Sequence, residues 1–220
     1  MSTQPAMIEE RLWFPDPAEA LTHPNGLLAI GGDLSVARLL LAYRSGIFPW
    51  TAHPVTWWSP DPRAIIELDG LHISRSLART LKRQPFEITR DRAFRRVMKG
   101  CATTRRNGNW ITPAFLDAYA QLHAAGHAHS VECWKGGVLV GGIYGVAVGG
   151  FFAGESMFHL VNDASKVALV ALVEHLRARG FALFDIQMVT PTTAKFGAME
   201  IRRAEYLERL HAALDVPARF

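Results

Sequence analysis

The stretch from Val138 to Met188, VLVGGIYGVAVGGFFAGESMFHLVNDASKVALVALVEHLRARGFALFDIQM, constrains this chain more than any other. Two apolar runs broken at Gly149-Gly150 predict a hairpin, followed by an amphipathic helix and one further strand. Leu169, Leu172, Val173 and Leu176 mark the helix's inward face, Asn162 or Asp163 supplies its cap, and Gly180 lies just past its end. The result is a β-β-α-β unit with its own core. Polar residues interrupt it where burial is expected: Glu155 within FFAGESMF, and Asp185 and Gln187 within FALFDIQM. A spacing of two puts the last pair on one face of the strand. A carboxylate in an apolar setting must be partnered or used, so the three together predict a site. Each alone has a plainer reading, as a partner for backbone groups or for an arginine of the basic segment described below.

Upstream, the opening third is rich in Pro, Gly and Trp and predicts one short helix. Ser35 caps it, Leu39, Leu40 and Tyr43 line its inner side, and Gly46 ends it. Trp57, Trp58 and the Pro60-Asp61-Pro62 turn mark a boundary, giving a small domain over 1–61 and a larger one over 62–220. A length of 220 residues with 49% apolar content suffices for such a pair. A strand from Ile65 to Leu68 then leads to a helix from Ser74 to about Gln84. A second helix follows Asp91, Asn107-Gly108 turns the chain, and Thr112-Pro113 starts a third helix that Gly126 closes. A strand over Ser130 to Trp134 precedes the central unit. After Met188 come a loop and a last helix with Tyr206, Leu207 and Leu210 inward.

Charge is concentrated. From Arg75 to Arg106 eleven Lys and Arg face two acids, so this segment carries +9 while the rest of the chain carries −5, for a net +4. Arg75, Arg79, Lys82 and Arg83 fall on one helix face with no acid among them, which points to a polyanion. Trp50, Trp110 and Tyr43 lie beside Pro or Gly turns. Such aromatics either pack or stack on the bases of single-stranded nucleic acid. His123, His127 and His129 lack a carboxylate or Cys at ligand spacing, so no metal is expected. Cys101 and Cys133 read as reduced, packed thiols. No phosphate-binding loop, dinucleotide fingerprint or nucleophile elbow is present, and no cofactor is expected. No apolar run is long enough for a membrane span, and no signal segment opens the chain, which places the protein in the cytoplasm.

Taken in order, NGLLAIGGDLS, GIFPW, WWSPDPRAI, HISRSL, GNWIT, HAHSVE, GGIYGV, GESMF, ASKVALVALV and the FDIQ strand resemble the leucyl/phenylalanyl-tRNA–protein transferase family from Leu12 to about Leu210. The resemblance implies an α+β protein, with a small N-terminal domain and a GNAT-like acyltransferase domain built on a mixed, mainly antiparallel sheet. It implies transfer of Leu or Phe, with Met as a third candidate, from aminoacyl-tRNA to the N-terminal Lys or Arg of acceptor proteins, marking them for degradation by the N-end rule. By matching motifs it assigns Asp185, Gln187 and Glu155 to the transfer step. Trp50, Trp110, Tyr43 and Tyr119 go to the terminal adenosine, and Arg75, Arg79, Lys82 and Arg83 to the acceptor-stem backbone. Ile143, Phe152, Met157, Leu169, Leu172 and Phe184 go to the amino-acid side-chain pocket. The sequence departs from the family at Thr192, where His is frequent, and at Arg202, where EIRR replaces EIPR. In the expected reaction Asp185 polarises Gln187 to align the amine, and Glu155 orients the incoming cationic residue. The ester is already activated, so neither ATP nor a metal is needed. An acetyl-CoA-dependent acetyltransferase or a non-catalytic RNA-binding module are the rival readings.

Overall fold

The computed structural model describes residues 4–104 and 110–220. Arg105, Arg106 and the Asn107-Gly108 turn lie outside the described residues.

The opening third is more regular than its sequence predicts. Strands β1 (Ala6–Ile8), β2 (Leu27–Gly31), β3 (Phe48–Ala52) and β4 (Val55–Trp58) form a sheet in the order β1-β2-β4-β3. Each strand is only three to five residues long, and Gly31, Pro49 and register shifts against β4 break β2 and β3, so no alternation long enough to read survives in the sequence. The expected helix, α1 (Val36–Arg44), is present, and the Ser35 hydroxyl accepts from the Arg38 N–H. Arg38 is buried and donates to the carbonyls of Glu9, Glu10 and Arg11, which ties the N-terminal segment down.

The second sheet has seven strands: β5 (Arg63–Ile65), β6 (Glu87–Arg90), β7 (Ala128–Lys135), β8 (Val138–Val148), β9 (Phe151–His159), β10 (Leu183–Gln187) and β11 (Met199–Ile201). Their order is β11-β5-β10-β9-β8-β7-β6, and only β9 and β10 run parallel. The sheet is therefore mixed and mainly antiparallel, and the α+β class is as the sequence predicts. β5 starts and ends earlier than expected, and Leu68–Gly70 forms a 3₁₀ turn instead of continuing it. β6 and β11, unforeseen, are edge strands of three or four residues.

Helices α2 (Arg75–Arg83), α3 (Phe94–Thr104), α4 (Pro113–Ala124), α5 (Ala164–Ala178) and α6 (Arg203–Leu214) complete the fold. The central strands are apolar on both faces because both are covered. Ile143, Phe152 and Phe184 pack with Leu169, Leu172 and Val173 of α5 on one face. Tyr144, Val146 and Phe151 pack on the other with Leu39, Phe115 and Leu210, so this core draws on α1, α4 and α6 together. Asp163 precedes α5 with φ 66° and gives no side-chain cap; its carboxylate binds Lys166 (2.7 Å) and the Thr80 hydroxyl (3.1 Å). No helix of the described residues is long and apolar enough to cross a membrane.

Candidate active site

Two local irregularities create the site. Opposite β8, Gly154 pairs with Gly145 and Ser156 with Tyr144, which leaves Glu155 as the extra residue of a bulge. A bulge re-aims a side chain that a regular ladder would hold in line. Parallel pairing of β9 with β10 ends at Ala153 and Asp185, beyond which the two strands part. On β10 the register against β5 also shifts between Asp185 and Gln187, and Gln187 adopts φ 58°. Asp185 and Gln187 therefore do not share one regular strand face, contrary to the spacing argument.

The separation is chemical as well as geometric. Asp185 has no exposed surface; Arg63 Nε donates to its Oδ1 (2.9 Å) and Nη2 to its Oδ2 (2.7 Å). The Tyr206 hydroxyl adds a bond to Oδ2 (3.0 Å), and the Gln187 backbone N–H donates to Oδ1 (2.9 Å). Arg63 itself is buried, donates to the Gly46 carbonyl (2.9 Å), and lies over the rings of Phe48 and Tyr206. Burial disfavours its charge, and Asp185 more than restores it, so the guanidinium stays firmly protonated. The partner of Asp185 is thus an arginine, but one from β5 and not from the basic segment. An Arg opening the otherwise apolar RAII run was the available signal.

Glu155 is in the opposite state. It lines a cleft of about 660 Å³ together with Trp50, Trp110, Thr112, Gln187 and Met188, and with Phe48 to His53 of the β3 region. Tyr43 donates to its Oε1 (2.8 Å) and Tyr119 reaches its Oε2 (3.4 Å), while the two phenol oxygens bond each other closely. Desolvation raises its pKa to about 7, helped by the Asp185 charge and opposed by the two tyrosines and Arg63. The same burial, with Glu155 alongside, pushes both phenols well above their ordinary value, so they remain donors.

The Gln187 amide is held by backbone carbonyls. Its nitrogen donates to the carbonyls of Gly154 (2.9 Å) and Ile186 (3.0 Å). The amide oxygen therefore faces Glu155, and two acceptors meeting there are satisfied when that carboxyl carries a proton.

Trp50 and Trp110 are half-buried in the cleft walls, braced by Trp58 and Phe115 respectively. Tyr43 and Tyr119 are buried beneath it and offer hydroxyls, not ring faces. Ile143, Phe152, Leu169, Leu172 and Phe184 are packed in the core against α5, Met157 is partly buried beside them, and none of the six lines the cleft. Arg75, Arg79, Lys82 and Arg83 are exposed along α2, and among the described residues none makes a salt bridge. On α3, by contrast, Arg95 pairs with Asp117 and Arg96 lies over Trp134; just before that helix, Arg92 also lies over Trp134 and pairs with Glu87. His129 and His123 bond to Asp91 and the Ala128 carbonyl. Sequence reasoning missed Arg63, Tyr206, Thr112 and His53 at or under the site.

A family model described as "Leucyl/phenylalanyl-tRNA protein transferase" matches residues 65–211, and one for that protein's N-terminal domain matches 32–61. A leucyl/phenylalanyl-tRNA–protein transferase of Shewanella denitrificans is 54% identical over 90% of this chain and 85% of its own length. That of Shigella dysenteriae is 52% identical over 90% and 86%. Among solved structures, L-PGS from Bacillus licheniformis aligns at 15% identity over 74% of this chain and 54% of its own, with a TM-score of 0.43.

Proposed function

Because the chain belongs to the leucyl/phenylalanyl-tRNA–protein transferase family, we propose that the cleft between Trp50 and Trp110 is where an aminoacyl ester on tRNA meets the amino terminus of an acceptor protein. The chain is an aminoacyltransferase, and it moves Leu or Phe from aminoacyl-tRNA to protein. In the finer reading the acceptor begins with Lys or Arg, the product is marked for degradation, and the reaction takes place in the cytoplasm, where charged tRNA is made and used. The single observation that carries the assignment of the site is Glu155: a carboxyl near neutral pKa, at the strand split, sharing one cleft with two indoles and an amide.

The chemistry asked of the protein is modest. The amine nitrogen attacks the ester carbonyl, the C–O bond to the ribose breaks, and the proton lost by nitrogen ends on the ribose hydroxyl. An amino terminus with a pKa near 8 is roughly a tenth neutral at pH 7. A base matched to that pH is most effective, and Glu155 is that base in this reading, taking the proton and returning it to the leaving oxygen. As a carboxylate it also attracts a cationic first residue. Tyr43 and Tyr119 hold it in place as donors, and the Gln187 amide oxygen aligns the amine. Of Gln187, Asp185 contacts the backbone N–H and not the side-chain amide, so it is a positioning residue and no relay runs through the amide.

Trp50 and Trp110 stack the terminal adenosine, and the α2 stripe takes the acceptor-stem phosphates. The side chain of the transferred residue enters where β9 and β10 part, toward Met157, Phe152 and Phe184, with Ile143, Leu169 and Leu172 behind them. Rejecting one methylene in such a pocket is worth only about 1–3 kcal/mol. Residues 1–61 then supply Trp50 and Tyr43, and 62–220 supply the reacting groups. The test is transfer of labelled Phe from charged tRNA to a peptide beginning with Arg. Label should appear on the free-amine peptide and not on its N-acetylated form; no label on either overturns the reading.

A further inference from the structure

A second cavity, of about 360 Å³, lies between the start of α2 and the segment that follows β10. Its rim carries His72, Ser74, Lys166, Thr192 and Lys195, and Leu77 and Phe196, both buried, give it an apolar floor. Lys166 is neutralised by Asp163 (2.7 Å), whereas the Lys195 ammonium has no ion-pair partner among the described residues. The wall is firmly built. The His72 ring donates from Nδ1 to the Lys195 carbonyl (2.9 Å), and the His72 backbone N–H donates to the Phe196 carbonyl (3.0 Å).

The position of this cavity in the chain gives it meaning. Gln187, Met188 and Thr190 line the cleft, and Thr192, Ala194 and Lys195 of the same segment line this cavity. Its opposite wall, Ser74 and Leu77, belongs to α2, whose outer face bears the four unpaired cations. It thus shares one segment with the cleft and one helix with the cationic stripe. An apolar floor under a cationic rim suits a unit with one charged and one flat or apolar part.

Resting on the transferase reading, we propose that this cavity holds a nucleotide of the tRNA acceptor strand upstream of the one in the cleft, its base over the Leu77 and Phe196 floor and its phosphate on the Lys195 ammonium. The site would set the path of the strand from α2 to the indoles, and would play no part in the bond exchange.

The experiment compares phenylalanyl-tRNA with phenylalanyl-adenosine, which is too short to span both cavities, in the unaltered protein and in Lys195→Ala, Lys195→Glu and Lys195→Arg. Lys195 is exposed, so these changes spare the core. Lys195→Ala should weaken phenylalanyl-tRNA binding about tenfold, the worth of one charge-assisted hydrogen bond, and exceed any loss with phenylalanyl-adenosine by that factor. The slope of log K against log salt should fall by about 0.7–0.9, one phosphate contact. Lys195→Glu should weaken binding further, and Lys195→Arg should restore it. An unchanged salt slope, an equal loss with both substrates, or an effect confined to the acceptor peptide's KM would overturn the proposal. If the unaltered protein binds tRNA with the Lys195-dependent slope but transfers nothing from either ester, the transferase reading fails and this one stands.

Discussion

The regions around Asp185 and Glu155 hold two carboxyl groups on neighbouring strands, and burial has opposite consequences for them. Asp185 meets a guanidinium on both oxygens, a phenol and a backbone N–H, so every acceptor direction is filled and no ligand can reach it. Glu155 meets neutral donors, two phenols, and one side of it opens on the cleft. A full opposite charge fixes a buried carboxylate as structure. Neutral partners leave it able to gain and lose a proton, which is what a base requires.

The sharpest way to break this contrast is Glu155→Gln, expected to lower turnover about 10²–10⁴-fold while the protein remains folded. A smaller loss, measured by single-turnover transfer, would move the base elsewhere. The same variant has a stability signature. The folded-state pKa of Glu155 is raised from 4.5 to about 7, so the folded form binds its proton more tightly than the unfolded chain. Its contribution is present below pH 4.5 and is lost as pH rises toward 7. Glu155→Gln should flatten that part of the stability–pH curve, as read by denaturant titration.

Arg63→Ala tests the other side. It strands Asp185 unpaired in the core and should cost about 3–5 kcal/mol in urea unfolding. Asp185→Asn should shift the acid limb of the pH–rate profile to lower pH, because the Asp185 charge is one of the causes that raise Glu155. Outright loss of that limb would make Asp185 the base. Trp110→Ala should weaken charged-tRNA binding by about 1–3 kcal/mol, with little change in turnover at saturation. The smallest effect is expected from Arg79→Ala, a reduction of about one in the salt slope of tRNA binding.

Legibility in the sequence followed the same divide. The β8-β9-α5-β10 unit could be read because its apolar runs are long and Gly149-Gly150 interrupts them cleanly. β1 to β4 could not, because strands of three to five residues carrying Pro49 and Gly31 leave no period to detect. Glu155, Asp185 and Gln187 stood out as polar residues in apolar strands, but their different fates depend on Arg63, 122 positions away from Asp185. Tyr43 and Tyr119 were legible as aromatics; their use as hydroxyl donors came from a meeting of α1, α4 and β9 that no local pattern encodes.

The unopposed residue in β9 has a further consequence. Removing one residue from Gly154-Glu155-Ser156 would let the ladder with β8 close without interruption, and by the usual measures of strand pairing the sheet would improve. The acid would then be carried to the wrong side of the pleat or lost. In this hairpin the better-ordered sheet and the working enzyme are competing outcomes, separated by a single codon.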